Sequence, residues 1–138
     1  MKNLYSLIAG IITGVVLVAL LELLLSVIYP IPKGLDMNNA DTKEILMLMM
    51  PLGAMILLLV NYAVASFAGG LVSALISKKV WQSLVIGSLL TVGNIFNLME
   101  LPHPLCLAIT SMLMFLPFAF LGGKVGMRIK NNSNLNAN

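Results

Sequence analysis

The sequence predicts an all-α integral membrane protein: a four-transmembrane-helix bundle with both termini on the cytoplasmic side. Three observations carry that prediction. Of the 138 residues, 59% are hydrophobic and only 9% are charged, where a soluble domain carries roughly a quarter charged residues. Mean hydropathy is +1.00, so the chain has too little polar surface to cover itself in water, and the bilayer is its solvent. The apolar residues also fall into four runs, each long enough to cross a hydrocarbon core of about 30 Å as a helix. The expected helices cover about 4–29, 44–77 with a break at Pro51, 80–101 and 105–128, as one transmembrane domain over 1–130.

The first run follows Met1-Lys2-Asn3 and extends from Leu4 to Tyr29. A signal peptide has an apolar core of about 7–15 residues and a small-residue cleavage site. This run is longer and leads into Pro30-Ile31-Pro32 with no Ala-x-Ala pattern, so it is expected to be retained as helix 1. Ser6, Gly10 and Gly14 recur every four residues, a small-residue ladder that lets another helix backbone come close. Glu22 sits deep in the second half, between leucines.

Two prolines and Lys33-Gly34 open a polar loop. Asp41-Thr42-Lys43-Glu44 has the spacing of a capping box, which starts helix 2 near Thr42. Gly69, Ser73 and Ser77 form a second ladder, and Lys78-Lys79 ends the helix. Helix 3 follows at once, with Trp81 where an interfacial anchor belongs. Pro102-His103-Pro104 makes the next turn. Helix 4 contains Pro117 and, near its end, Gly122, Gly123 and Gly126. Residues 131–138 (NNSNLNAN) form a polar tail expected to be disordered.

Charge gives the orientation. Lys2, Lys78, Lys79, Lys124, Arg128 and Lys130 fall on one side of the four spans, and only Lys33 and Lys43 on the other. The positive-inside rule then places both termini in the cytoplasm. All five acids, Glu22, Asp36, Asp41, Glu44 and Glu100, fall in the outer half or the outer loops. A shift of 53 residues superposes Pro51 on Pro104 and Phe67-Ala68-Gly69-Gly70-Leu71-Val72 on Phe120-Leu121-Gly122-Gly123-Lys124-Val125. This match points to a tandem parallel repeat of a helix–Pro-x-Pro–helix unit, related by an axis along the membrane normal.

Counting outward from each midplane at 1.5 Å per residue places Glu22, Asn61, Asn94 and Asn97 roughly 5–10 Å out, in one polar layer. Thr110 and Ser111 fall at the same depth, and Tyr62 adjoins Asn61. Asn94, Asn97 and Glu100 make one stripe on helix 3, expected to continue inward through Thr91, Ser88 or Gly87, and Ser83. A carboxylate at that depth must be protonated, paired or reached by water. No Lys or Arg shares the layer, so the asparagines of helices 2 and 3 are the expected partners of Glu22. Small residues pinch the inner half, and bulky side chains spread the outer half. Together these predict a vestibule lined by the proton or ligand pocket Glu22, Asn61, Asn94 and Asn97. Secondary candidates are Glu100, His103, Tyr62, Thr110 and Ser111.

The four short helices and the membrane-embedded Glu22 in helix 1 resemble the small multidrug resistance transporters. The resemblance is one of size and helix count. It implies a carboxyl that binds protons and cationic drugs in an antiparallel dual-topology dimer, and it carries over only to Glu22. Glu22 lies late in its helix, helix 3 has no matching aromatic cage, and the Lys/Arg bias here is too one-sided for dual topology.

The functional expectation is a small multipass protein, a proton- or cation-responsive transporter or channel in a bacterial cytoplasmic membrane. The alternative is a non-catalytic accessory or assembly subunit whose polar layer is structural. The sequence holds no nucleophile–base pair and no phosphate-binding loop, so enzyme activity and cofactors are not expected. Glu100 and His103 supply two ligand types where a zinc site takes three or four ligands, so no metal is expected. The dispersed charge of +3 gives no nucleic-acid footprint. The lone Cys106 cannot form an intramolecular disulfide. The expected partners are the lipid bilayer and, through the ladders, a homo-oligomer or a larger membrane complex.

Overall fold

The computed structural model describes residues 2–30, 39–100 and 105–135. These residues form five α-helices and, among them, no strand: α1 (Lys2–Ile28), α2 (Ala40–Leu48), α3 (Leu52–Ser77), α4 (Val80–Glu100) and α5 (Leu105–Leu135). Four of them, α1, α3, α4 and α5, are long and apolar enough to cross a membrane. In hydrocarbon every backbone N–H and C=O must be satisfied within its own segment. Even the β-branched run Ile11-Ile12-Thr13-Gly14-Val15-Val16 is therefore helical.

The helix ends follow local chemistry. Pro30 forces its predecessor out of the helical region, and α1 closes with the Tyr29 N–H donating to the Leu25 carbonyl at 2.8 Å. Helix 2 of the sequence reading is two separate helices, because Pro51 has no N–H to continue α2 and itself caps α3 in an extended conformation. The start near Thr42 is corrected as well. Asn39 is the cap, its side-chain oxygen accepting the Asp41 N–H at 3.0 Å, and Asp41 lies inside the first turn of α2. Among the described residues, short α2 packs against none of the other helices. Lys78 adopts a left-handed conformation (φ 60°) and donates its N–H to the Ala74 carbonyl, so only Lys78 and Lys79 separate α3 from α4.

Helix α5 continues past the expected end near Arg128 to Leu135, and the rest of the expected disordered tail, 136–138, lies outside the described residues. Nothing after Gly126 breaks a helix, and the Ser133 hydroxyl bonds back to the Ile129 carbonyl at 3.0 Å. At 1.5 Å per residue α5 is roughly 46 Å long, longer than the hydrocarbon core. Pro117 inside α5 faces outward, exposed.

Central α3 packs against α1, α4 and α5; α4 packs against α1 and α5. The α1 ladder is its packing face: among its described side chains only Ser6, Gly10 and Gly14 are fully buried. A Cβ on Gly10 would lie 2.8 Å from the Gly69 carbonyl oxygen, and one on Gly69 the same distance from the Gly10 oxygen. The two backbones are therefore in contact. At the α3/α5 seam, a Cβ on Gly70 would overlap the Ala119 backbone and one on Gly122 the Phe67 carbonyl. Leu58, Tyr62, Ile86, Leu90, Leu107 and Phe115 fill the centre.

The two Gly-Gly pairs do related work in opposite order. In α3 the first glycine meets α1 and the second meets α5. In α5 the first meets α3 and the second, Gly123, meets Ser83 of α4. Among the described residues α3 also reaches α4, whereas α1 does not reach α5. The four spans are thus not arranged as two hairpins about a two-fold axis.

Replacing Gly122 by Ala is expected to destabilise the bundle by about 1–3 kcal/mol through overpacking. Gly93→Ala, whose Cβ meets no atom within 4 Å, is expected to be neutral or to stabilise by up to about 1 kcal/mol, the helix-propensity gain of Ala over Gly. Reversible unfolding in mild detergent measures both.

Candidate functional site

The small residues that seal α1 against α4 stop partway along the pair. Ser6 is hydrogen-bonded to Gln82, Gly10 packs on Ile86, and Gly14 packs on Leu90. Beyond Leu90 the two helices part, and a cavity of about 280 Å³ opens between them. Ile11, Val15 and Val18 of α1 form one wall. Leu89, Leu90, Gly93, Asn94 and Asn97 of α4 form the other, and Tyr62 and Phe115 close the back.

The polar layer resolves into two clusters on either side of this space. On the α1/α3 side, the Asn61 side-chain N–H donates to the Val18 carbonyl at 3.3 Å. The Tyr62 hydroxyl donates to Glu22 Oε1 at 3.5 Å, a contact longer than the usual hydroxyl–carboxylate bond. Asn61 is buried, and its side-chain oxygen has no partner. On the α4/α5 side, Asn94 donates to the Ser111 hydroxyl at 2.9 Å, and that hydroxyl donates on to the Ala108 carbonyl at 2.9 Å. Asn94 and Ser111 are both buried.

The expectation that asparagines from helices 2 and 3 partner Glu22 is therefore corrected. Asn61 and Asn94 are turned to backbone and hydroxyl acceptors on the helix beside each of them. The group that reaches Glu22 is Tyr62, one residue from Asn61 and so on a different side of α3. Tyr62 also stacks on Phe115, with ring centroids 5.4 Å apart and planes tilted by 36°. It belongs at once to the carboxyl, the core and the cavity wall.

Of the four pocket residues, Asn94 and Asn97 line the cavity and Glu22 and Asn61 do not. Asn61 instead borders a second, smaller space of about 150 Å³ walled by leucines and valines of α1 and α3. Thr110 bonds to its own helix at the Cys106 carbonyl, 2.7 Å away, as Thr in a helix commonly does. Ser88 does the same with Leu84 and is exposed. The buried stripe of α4 therefore runs Asn94, Leu90, Gly87 with Ile86, and Ser83. The side chain of Glu100 and all of His103 lie outside the described residues.

Sequence reasoning missed Gln82. Its side chain is 5% exposed and holds Ser6 across the α1/α4 seam. Near Lys79 and Trp81 it reads as a headgroup residue. The available signal was its place one turn before Ile86 on the face that the α1 ladder needs. Ser66, buried at the α3/α5 seam and donating to the Phe115 carbonyl at 2.5 Å, was legible only as a small residue.

Comparison of the chain with protein-family models, curated proteins and solved structures finds no match.

The Asn94–Ser111 bond is a measurable unit. A double-mutant cycle with Asn94→Ala and Ser111→Ala is expected to return a coupling of about 0.6 kcal/mol and at most about 1.7, the average and maximum for interhelical hydrogen bonds in a membrane protein. Unfolding of the four variants in mild detergent provides it, and zero coupling would remove the bond from the account.

Proposed function

We propose that the protein is a small multipass transporter or channel of a bacterial cytoplasmic membrane, whose response to protons or cations runs through Glu22. One observation carries the reading. Tyr62 contacts the Glu22 carboxylate with its hydroxyl and lines the cavity beside Asn94 and Asn97. A proton or cation arriving at Glu22 changes what the Tyr62 hydroxyl donates to. A side chain in the cavity wall then senses the change. An ionisable group at membrane depth is a functional candidate by default, and Tyr62 is the route by which its charge state would reach a bound solute.

In this proposal both termini are cytoplasmic, so the cavity opens in the outer half of the bilayer. The 53-residue repeat is proposed as a feature of the sequence, carried by the ungapped Phe-x-Gly-Gly-x-Val match, without a two-fold arrangement of helices. Any homo-oligomer or larger complex would have to form on the bulky outward faces. The glycine ladders that favoured it on sequence grounds are occupied within the chain.

The second reading, a non-catalytic accessory subunit, is favoured by the internal hydrogen bonds of Asn61 and Asn94, which act as glue between neighbouring helices.

Glu22→Gln separates the readings. In liposomes carrying a pH gradient, a trapped pH dye should report flux through the wild type and about tenfold less through the Gln variant at equal thermal stability, a barrier difference of about 1.4 kcal/mol. Unchanged flux in the variant overturns the transport reading and leaves the accessory one.

Orientation has its own test in intact cells, in a Cys106→Ser background. An impermeant maleimide should label Asp41→Cys and spare Ser133→Cys; the reverse pattern inverts the topology.

A further inference from the structure

We infer that the cavity between α1 and α4 is a side-opening binding site for a neutral, lipid-soluble ring compound bearing one hydrogen-bonding group. As the substrate class of the transport site it rests on the reading above; as a binding site it stands on the cavity itself.

The opening faces the hydrocarbon. Val15 and Leu89 stand on opposite walls of the cavity and are 52% and 46% exposed. They form a rim between two lipid-facing helices. The seal from Ser6–Gln82 to Gly14–Leu90 closes the pair at one end only. A molecule dissolved in the bilayer reaches this space sideways.

The lining selects against charge. None of the ten wall residues is charged, and an ammonium or carboxylate placed there would lose its hydration without a counter-ion. Most of the wall is aliphatic or aromatic, with the carboxamides of Asn94 and Asn97 on one side. A carboxamide offers two donors and an acceptor oxygen, and Asn94 spends one donor on Ser111. That chemistry suits a single hydroxyl or carbonyl on an otherwise apolar body.

Volume sets the size. A cavity of about 150 Å³ takes benzene. The cavity here, about 280 Å³, is nearly twice that and accommodates one or two rings.

Gly93 is the independent sign. Every other described glycine carries a position where a Cβ would press on a neighbour, and Gly93 alone meets nothing within 4 Å. Helix packing does not require a glycine there. A guest lying against bare α4 backbone between Leu89 and Asn97 does.

The test uses the full chain in phosphatidylcholine nanodiscs with 1-naphthol and naphthalene as probes, read by equilibrium dialysis against empty nanodiscs. The wild type should bind 1-naphthol saturably, one per chain. Gly93→Leu, which places a side chain in the open space, should weaken binding by about tenfold or more, a loss of at least about 1.4 kcal/mol, at unchanged helical content and melting temperature. Asn97→Leu, close in volume, should erase the preference for 1-naphthol over naphthalene. In Glu22→Gln, 1-naphthol should still bind saturably at one per chain, its affinity free to shift with Tyr62, so loss of flux with stoichiometric binding retained separates the site from the transport reading. Equal uptake of 1-naphthol by wild-type, Gly93→Leu and empty nanodiscs overturns the site, whatever the flux. So does native mass spectrometry showing a phospholipid retained by the wild type, lost in Gly93→Leu and not displaced by 1-naphthol, since the cavity then holds an acyl chain.

Discussion

The structure depends on backbone-to-backbone contact through small residues. In water, helices associate because apolar side chains leave the solvent. In lipid that drive is absent between helices, and close packing with short polar contacts must replace it. This chain meets the constraint by giving each seam its own set of small residues. Gly10 and Gly69 join α1 to α3, Gly70 and Gly122 join α3 to α5, and Gly123 with Ser83 joins α5 to α4. Serines reinforce the same seams, with Ser66 donating to a carbonyl across α3/α5 and Ser6 meeting Gln82 across α1/α4. Most bulky residues of α1 face outward, with Leu7, Ile11, Val18 and Leu25 only partly buried against the core, so the helix is held chiefly where Ser6, Gly10 and Gly14 meet its neighbours.

That division of labour also creates the cavity. Packing across α1/α4 relies on Ser6, Gly10 and Gly14, and no small residue follows Gly14 on that face of α1. The next positions, Val15 and Val18, keep the helices apart. On α4, Gly93 withholds the side chain that could fill the gap. The space is thus a consequence of where the ladder ends, and its polar wall is a consequence of Asn94 being needed at the α4/α5 seam.

Much of this was legible in the residues. Hydropathy and length located the four spans, and the four-residue spacing of Ser6, Gly10 and Gly14 marked the packing face of α1. Helix α2 was misjudged at its start because Asn39 and Asp41 are both good caps, and spacing alone favours the one with Glu44 three residues on. The end of α5 was misjudged because Asn and Ser were read as loop residues, although neither is a breaker when the preceding turns are already helical. The site was only half legible. Depth placed Glu22, Asn61, Asn94 and Asn97 in one layer, of which Asn94 and Asn97 line the cavity and Glu22 and Asn61 do not. Depth carries no azimuth, and a rotation of one residue, about 100° on a helix, is what separates Asn61 from Tyr62. The sequence reading therefore favoured the carboxamides, whereas the helix turns the phenol, the stronger donor, toward the carboxyl.

Tyr62 is consequently where stability and function meet. Its ring is part of the core against Phe115, so it cannot move without disturbing the packing of α3 on α5. Its hydroxyl ends at Glu22 over a long 3.5 Å contact, which leaves room for a shorter bond or for its loss. A ligand or proton shifts a conformational equilibrium only by its differential affinity for the two states. A charged Glu22 favours the state in which the phenol points to it. A neutral Glu22 loses much of that preference, because a hydrogen bond to an ionised acceptor is roughly twice as strong as one between neutral groups. In the proposed response the cavity wall would move with the phenol. The half-buried carboxyl would thus act on the space between α1 and α4 without lining it, from one turn beyond Val18 on the same helix.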